Sequence, residues 1–157
     1  MRRIASVLGV IAIAMTVGLP AHAAPPQITP GAPFSVDIPF PDVCPDFEMV
    51  ATVRGRPHAI TFVDNDGNAV RGFAGGQLKV TWTRLDTGFS RTWSIAGPTF
   101  YDGDGNAVRG TGSWTTPLEG TGWVLAHGNL TFDGLENGFS LIVDYHGNAT
   151  AICDLMA

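Results

Sequence analysis

Phe62-Val63-Asp64-Asn65-Asp66-Gly67-Asn68-Ala69-Val70-Arg71-Gly72 recurs, with few changes, as Phe100-Tyr101-Asp102-Gly103-Asp104-Gly105-Asn106-Ala107-Val108-Arg109-Gly110. A fainter copy is Asp144-Tyr145-His146-Gly147-Asn148-Ala149, and the shared core is D-x-x-G-N-A. Glycine supplies a positive φ without steric cost, and Asp or Asn bonds to nearby backbone, so each copy predicts a hairpin tip. A second pair, Leu85-Asp86-Thr87-Gly88-Phe89-Ser90 and Leu135-Glu136-Asn137-Gly138-Phe139-Ser140, predicts two more. The copies are unevenly spaced, which argues against a solenoid or a propeller.

The residues on either side of these tips alternate. Phe47, Met49, Ala51 and Val53 are one such series; His58, Ile60 and Phe62 are another. Leu78, Val80 and Trp82 precede the D-T-G turn, and Phe89, Trp93 and Ile95 follow it. Phe139, Leu141, Val143 and Tyr145 form the last series. A period of two marks strands with one buried face, and no helical stripe of useful length is present after the N-terminal segment. Short connections predict antiparallel neighbours in a meander of roughly eight to ten strands. The predicted fold class is all-β, a small antiparallel up-and-down barrel, with a two-sheet sandwich as the alternative.

The N-terminal residues read differently. Arg2 and Arg3 precede an apolar run from Ile4 to Leu19, and Ala21-His22-Ala23 offers small residues at a cleavage site. Residues 1–23 are expected to be a secretory signal peptide, too short to span a bilayer. Residues 24–43 carry six prolines and are expected to form an extended arm, leaving 44–157 as one β domain. Removing Arg2 and Arg3 leaves seven basic residues against fourteen acidic ones. Such an acidic chain repels phosphate, which argues against nucleic acid as a partner. Lys79 is the only lysine, and no second apolar run is long enough to cross a membrane. The expected location is extracellular.

Export places Cys44 and Cys153 in an oxidising compartment, where two cysteines allow one disulfide. Cys44 precedes the first alternating segment and Cys153 lies in the last, so the bridge is expected to tie the first strand to the final one. C-x-x-C spacing is absent, so a redox-active pair is not indicated.

Cys44-Pro45-Asp46-Phe47, the Leu85-Asp86-Thr87-Gly88 turn, Ile95-Ala96-Gly97-Pro98, the D-x-D-G-N tips and Ile152-Cys153 resemble small secreted actinobacterial proteins. Those proteins have a signal peptide and a cysteine near each end. The resemblance covers most of the chain after residue 23 and departs at Arg84, where the family often has asparagine. It implies secretion and the disulfide, and no catalytic residue.

Three constellations remain. Asp64, Asp66, Asn68 and Asp102, Asp104, Asn106 place oxygens at alternate positions, but the EF-hand glycine position and distal glutamate are missing, and turn chemistry accounts for the pattern. His127-Gly128-Asn129 and His146-Gly147-Asn148 share H-G-N but match no zinc spacing. No metal or other cofactor is therefore expected. Finally, Trp82 and Trp93 flank the D-T-G turn symmetrically. Pairing them directly puts Val80 opposite Ile95 and Arg84 near Arg91, a candidate site for a small apolar or amphipathic ligand. Core filling is the plainer reading of the same residues. No nucleophile elbow, H-E-x-x-H or phosphate loop is present. The expectation is a secreted non-catalytic β-barrel domain whose biochemical role the sequence leaves open, with a small amphipathic ligand as the candidate. The alternatives are an extracellular enzyme with a site assembled from scattered residues, and a cell-envelope interaction module.

Overall fold

A computed structural model describes residues 24–136 and 139–157. The expected leader over 1–23 and the tip at Asn137-Gly138 lie outside the described residues. The described residues form nine strands: β1 Gln27–Pro30, β2 Phe34–Phe40, β3 Met49–Val63, β4 Ala69–Arg84, β5 Ser90–Ile95, β6 Thr99–Asp102, β7 Ala107–Leu118, β8 Gly122–Glu136 and β9 Phe139–Ala151. A short helix, α1 Ile152–Met156, follows. The all-β class expected from the alternation holds.

The strands make one mixed sheet in the order β1-β3-β4-β6-β7-β8-β9, with β2 also on β3 and β5 also on β4. Among the described residues every ladder is antiparallel except a single parallel bridge, Leu118 to Ile142, between β7 and β9. The order is open: among the described residues no ladder joins β1 or β2 to β9. The proline-rich segment is extended, as its composition predicts, but it is part of the sheet. β1 and β2 lie in line along the outer edge of β3, where strand prolines are tolerated because one side needs no ladder donor.

Two of the three D-x-x-G-N-A copies are hairpin tips. In each, the first aspartate takes two backbone N–H groups on one carboxylate oxygen: Asp64 from Asp66 and Asn68 at 2.9 and 2.8 Å, Asp102 from Asp104 and Asn106 at 3.0 and 2.8 Å. The third copy corrects its expectation. Asp144–Ala149 continues β9, because its backbone is held by the β8 ladder and its glycine faces Gly128 there.

The long strands share a line of glycines. Gly55, Gly76, Gly112, Gly128 and Gly147 lie on β3, β4, β7, β8 and β9. Gly97 falls opposite Gly76, between the last β4–β5 pair, Leu78 with Ile95, and the first β4–β6 pair, Ala74 with Thr99. The β1–β2 break lies close to the same line, where Gly31 N–H donates to the Pro57 carbonyl at 2.9 Å. Glycines aligned across a sheet let it bend there.

The bend folds the sheet over its apolar face. Phe40 on β2 and Trp123 on β8 are five ladder steps apart, about 24 Å in a flat sheet. Their ring centroids are 4.6 Å apart. The main core lies between these halves and contains Phe40, Met49, Ala51, Val80, Trp82, Trp123, Leu125 and, from α1, Ile152 and Met156. Each large side chain fully buried there stabilises the fold by roughly 1.5–3 kcal/mol. A second cluster, Val124, Ala126, Leu130, Phe132 and Ile142 among it, fills the coil of β7, β8 and β9. β8 is therefore buried on both faces around Trp123–Ala126.

The Cys44–Cys153 disulfide forms, with Cα atoms 5.6 Å apart across 109 residues of sequence. Its ends differ from the expectation: Cys44 lies between β2 and β3, and Cys153 lies in α1. It joins the two margins of the open sheet covalently where a barrel would join them by a ladder.

Candidate functional site

Folding the sheet leaves a cavity of about 310 Å³ between its halves. One wall is the apolar face of β2, β3, β4 and β5, built by alternation: Ile38 pairs with Ala51, Ala51 with Trp82, Val36 with Val53 and Val53 with Val80. The other wall comes from β7, β8 and β9, with Trp114, Trp123, Phe132 and Phe139. Phe34 and Val36 line the cavity while remaining 38% and 44% exposed, which places its opening along β2.

The opposite face of the same strands is polar and closed on itself. Thr52 donates to Asp37 at 2.6 Å, and Thr81 with Thr92 and Thr83 with Ser90 are 2.8 and 2.9 Å apart. Sheet polarity is therefore sorted cleanly, and the apolar side faces the cavity.

Few polar atoms reach the cavity wall. Thr99, Tyr101, Thr115, Thr116 and Ser140 contribute them. The Thr116 hydroxyl donates to the Ser140 carbonyl. The Trp114 indole N–H donates to the Thr111 carbonyl at 3.0 Å. Trp82 is fully buried, and its Nε1 has no partner; it is the sole buried side-chain nitrogen or oxygen in that condition among the described residues. No Lys, Arg, His, Asp or Glu lines the cavity among those residues.

Of the four residues expected to form a ligand site, Trp82 alone lines the cavity. Trp82 pairs with Arg91, and Trp93 pairs with Val80, so the register differs by two residues from the symmetric one. The cause is the turn. Arg84 and Phe89 close it, with Arg84 N–H donating to the Phe89 carbonyl at 2.9 Å and Gly88 N–H to the Arg84 carbonyl at 3.0 Å. The loop is thus Leu85–Gly88, with Gly88 at its end at a φ of 71°. A shift of two keeps every side chain on its original face, so the continuous apolar face survives.

Trp82 lines the cavity, whereas Trp93 is half-buried against the main core. Arg84 is committed elsewhere. Its Nε and Nη2 donate to both Asp86 carboxylate oxygens at 3.0 and 2.7 Å, and its guanidinium lies 3.9 Å above the Phe47 ring. Its Nη1 also donates to the Met156 carbonyl at 3.2 Å, which holds the end of α1. The hydrogen bond from Arg84 lowers the Asp86 pKa, and Asp86 in turn raises that of Arg84. Arg91 is exposed, 5.3 Å above the Phe89 ring. Neither arginine lines the cavity.

The first aspartate of each acidic tip is engaged within its own turn. Asp64 and Asp102 accept from Asn68 and Asn106, and these hydrogen bonds hold both pKa values below the usual carboxylate range. Among the described residues no group of three His, Cys, Asp or Glu side chains is placed to hold a metal ion. The H-G-N segments lie side by side in β8 and β9, with His127 opposite Asn148 and Asn129 opposite His146. Ser113 Oγ and His127 Nδ1 are 2.7 Å apart on the exposed surface, and neither lines the cavity.

Sequence reasoning missed Phe40, Trp114, Trp123 and Phe139 as site residues. One signal was present for Trp123: Trp123-Val124-Leu125-Ala126 is unbroken apolar sequence, the pattern of a strand buried on both faces. No family model matches the chain, and neither do curated proteins or solved structures.

Proposed function

We propose that this is an exported, non-catalytic domain that binds a small apolar molecule between the halves of its folded sheet. The observation that carries the reading is the cavity of about 310 Å³, open along β2 and walled by aromatic and aliphatic side chains. That volume is at the lower end of the range for small-molecule sites, and its composition is typical of them. A sheet filled solely for stability gains from closing such a space, since each void forfeits packing contacts. Export is supported by the pattern of residues 1–23 and is compatible with the disulfide.

The test is equilibrium dialysis of the oxidised protein against 2-isopropylnaphthalene, a neutral hydrocarbon of suitable size. Saturable one-to-one binding with a Kd on the order of 0.1 mM is expected. Absence of saturable binding overturns the reading. Native mass spectrometry of protein purified from its own culture medium then identifies any molecule carried.

A further inference from the structure

We propose a second binding site, on the outer face of the sheet and independent of the cavity, for a compact phosphate-class anion of two or more negative charges, held by Arg54, Arg56 and Lys79. Its first sign is a ladder row. Ser35, Arg54, Lys79 and Ser94 stand in register across β2, β3, β4 and β5. Residues in register share a face, so Arg54 and Lys79 project side by side. Arg56 lies two residues along β3 on the same face, opposite Gln77. All six residues are exposed.

Like charges directly opposite each other destabilise a sheet, and a chain with surplus acid has carboxylates with which to compensate them. None is used here. Among the described residues the one ion pair is Arg84 with Asp86. Asp37, in the next row opposite Thr52, accepts the Thr52 hydroxyl instead. The surface is also recessed. Arg54, Arg56, Gln77 and Lys79 line a depression of about 350 Å³ at the break between β1 and β2, and Arg56, His58 and Gln77 line a neighbouring one of about 400 Å³. Two guanidinium forks and an ammonium converging on one recess match the oxygens of a phosphate-type group, and Ser35, Ser94 and Gln77 add uncharged donors beside them. The patch is bounded, which sets the size of the ligand. Asp37 and the threonines close it on one side; beyond His58 on the other come Ile60 and Phe73, opposite each other. A long polyanion needs cations along its length, and this chain is acidic elsewhere, so three cations within two rows suit a compact anion.

Lys79 is the only lysine, so protein grown on isotope-labelled lysine reports from the site through a single backbone amide resonance. Inorganic pyrophosphate at low ionic strength is expected to shift that resonance along a saturating curve, with a Kd on the order of 1 mM, and sodium chloride at matched ionic strength is not. The double variant Arg54→Gln/Arg56→Gln keeps the reporter and is expected to bind pyrophosphate about tenfold more weakly. Arg91→Gln, which removes an exposed arginine outside the site, is expected to bind as the wild type does. An unsaturable shift in the wild type, wild-type affinity in the double variant, or an equal loss in Arg91→Gln overturns the inference and leaves the cavity reading standing. Should the double variant not fold, the wild-type protein decides alone, and identical responses to pyrophosphate and chloride overturn the site. Binding to phosphatidylglycerol vesicles without binding to pyrophosphate assigns the patch to a bilayer surface and overturns it as well.

Discussion

Gly128 on β8 and Gly147 on β9 stand directly opposite each other, and the missing side chain of each is occupied by the other strand. A Cβ on Gly147 would run into the His127 carbonyl oxygen and lie 3.0 Å from the Gly128 Cα; a Cβ on Gly128 would meet the His146 carbonyl oxygen in the same way. Their φ values, 132° and 150°, are ones that other residues rarely adopt. The repeated H-G-N thus marks the point where two strands approach closely on the line along which the sheet bends.

Gly147→Ala is accordingly expected to destabilise the protein by about 3 kcal/mol or more, because a backbone contact must open. Gly88→Ala is the comparison. Its φ is also positive, but a Cβ there meets nothing within 4 Å, so about 1 kcal/mol is expected. Urea denaturation of both variants measures the order; equal effects would show that the crossing is not tight.

Replacing Cys44 and Cys153 by alanine frees the loop of 109 residues that the bridge closes. In the chain-entropy description this costs about 4–5 kcal/mol. Among the described residues no ladder joins the margins of the open sheet, so the loss is expected to be felt throughout the main core, which includes Cys44 and has Cys153 packed against it. The measurement is a lowered melting temperature in the double variant and in reduced wild-type protein.

Val36→Trp is expected to abolish binding of 2-isopropylnaphthalene while leaving the melting temperature within a few degrees of wild type. Val36 is 44% exposed on edge strand β2 and lines the cavity at its opening, so a larger ring there blocks entry without displacing a filled core. Unaltered binding would put the entrance elsewhere.

The hairpin tips are expected to loosen in acid. The pKa values of Asp64 and Asp102 are depressed in the folded protein, chiefly by the Asn68 and Asn106 backbone N–H groups. A depressed carboxylate contributes stability above its unfolded pKa and loses it as pH falls through the lower, folded value. Hydrogen-exchange protection of the Asn68 and Asn106 amides should therefore be constant at neutral pH and fall below the usual carboxylate range. Asp64→Asn should remove the dependence at Asn68 alone.

The alternation of Met49, Ala51 and Val53 was a sound guide to β3: all three pack in the main core or against it, while Thr52 between them bonds to Asp37 on the opposite face. Strand identity is local, set by which side chains fall on which face, so the composition of each short segment determined it. The D-G-N tips were legible for the same reason, since one aspartate and the amides two and four residues on complete the turn. The cysteines were legible because two thiols allow one bridge. The Trp82 register was not: a two-residue slide exchanges partners without changing faces, and hydrophobic pattern is blind to it.

What only the tertiary structure decided is the meeting of Phe40 with Trp123, five strands away, and the space left beside them. Each of those side chains is an ordinary core residue in its own segment. Their encounter depends on a bend shared by glycines on five strands and the loop after a sixth, a property of the whole sheet that no window of sequence contains. Period and turn chemistry determined that this chain is a folded ribbon of strands; the curvature of the assembled sheet decided that it encloses a cavity.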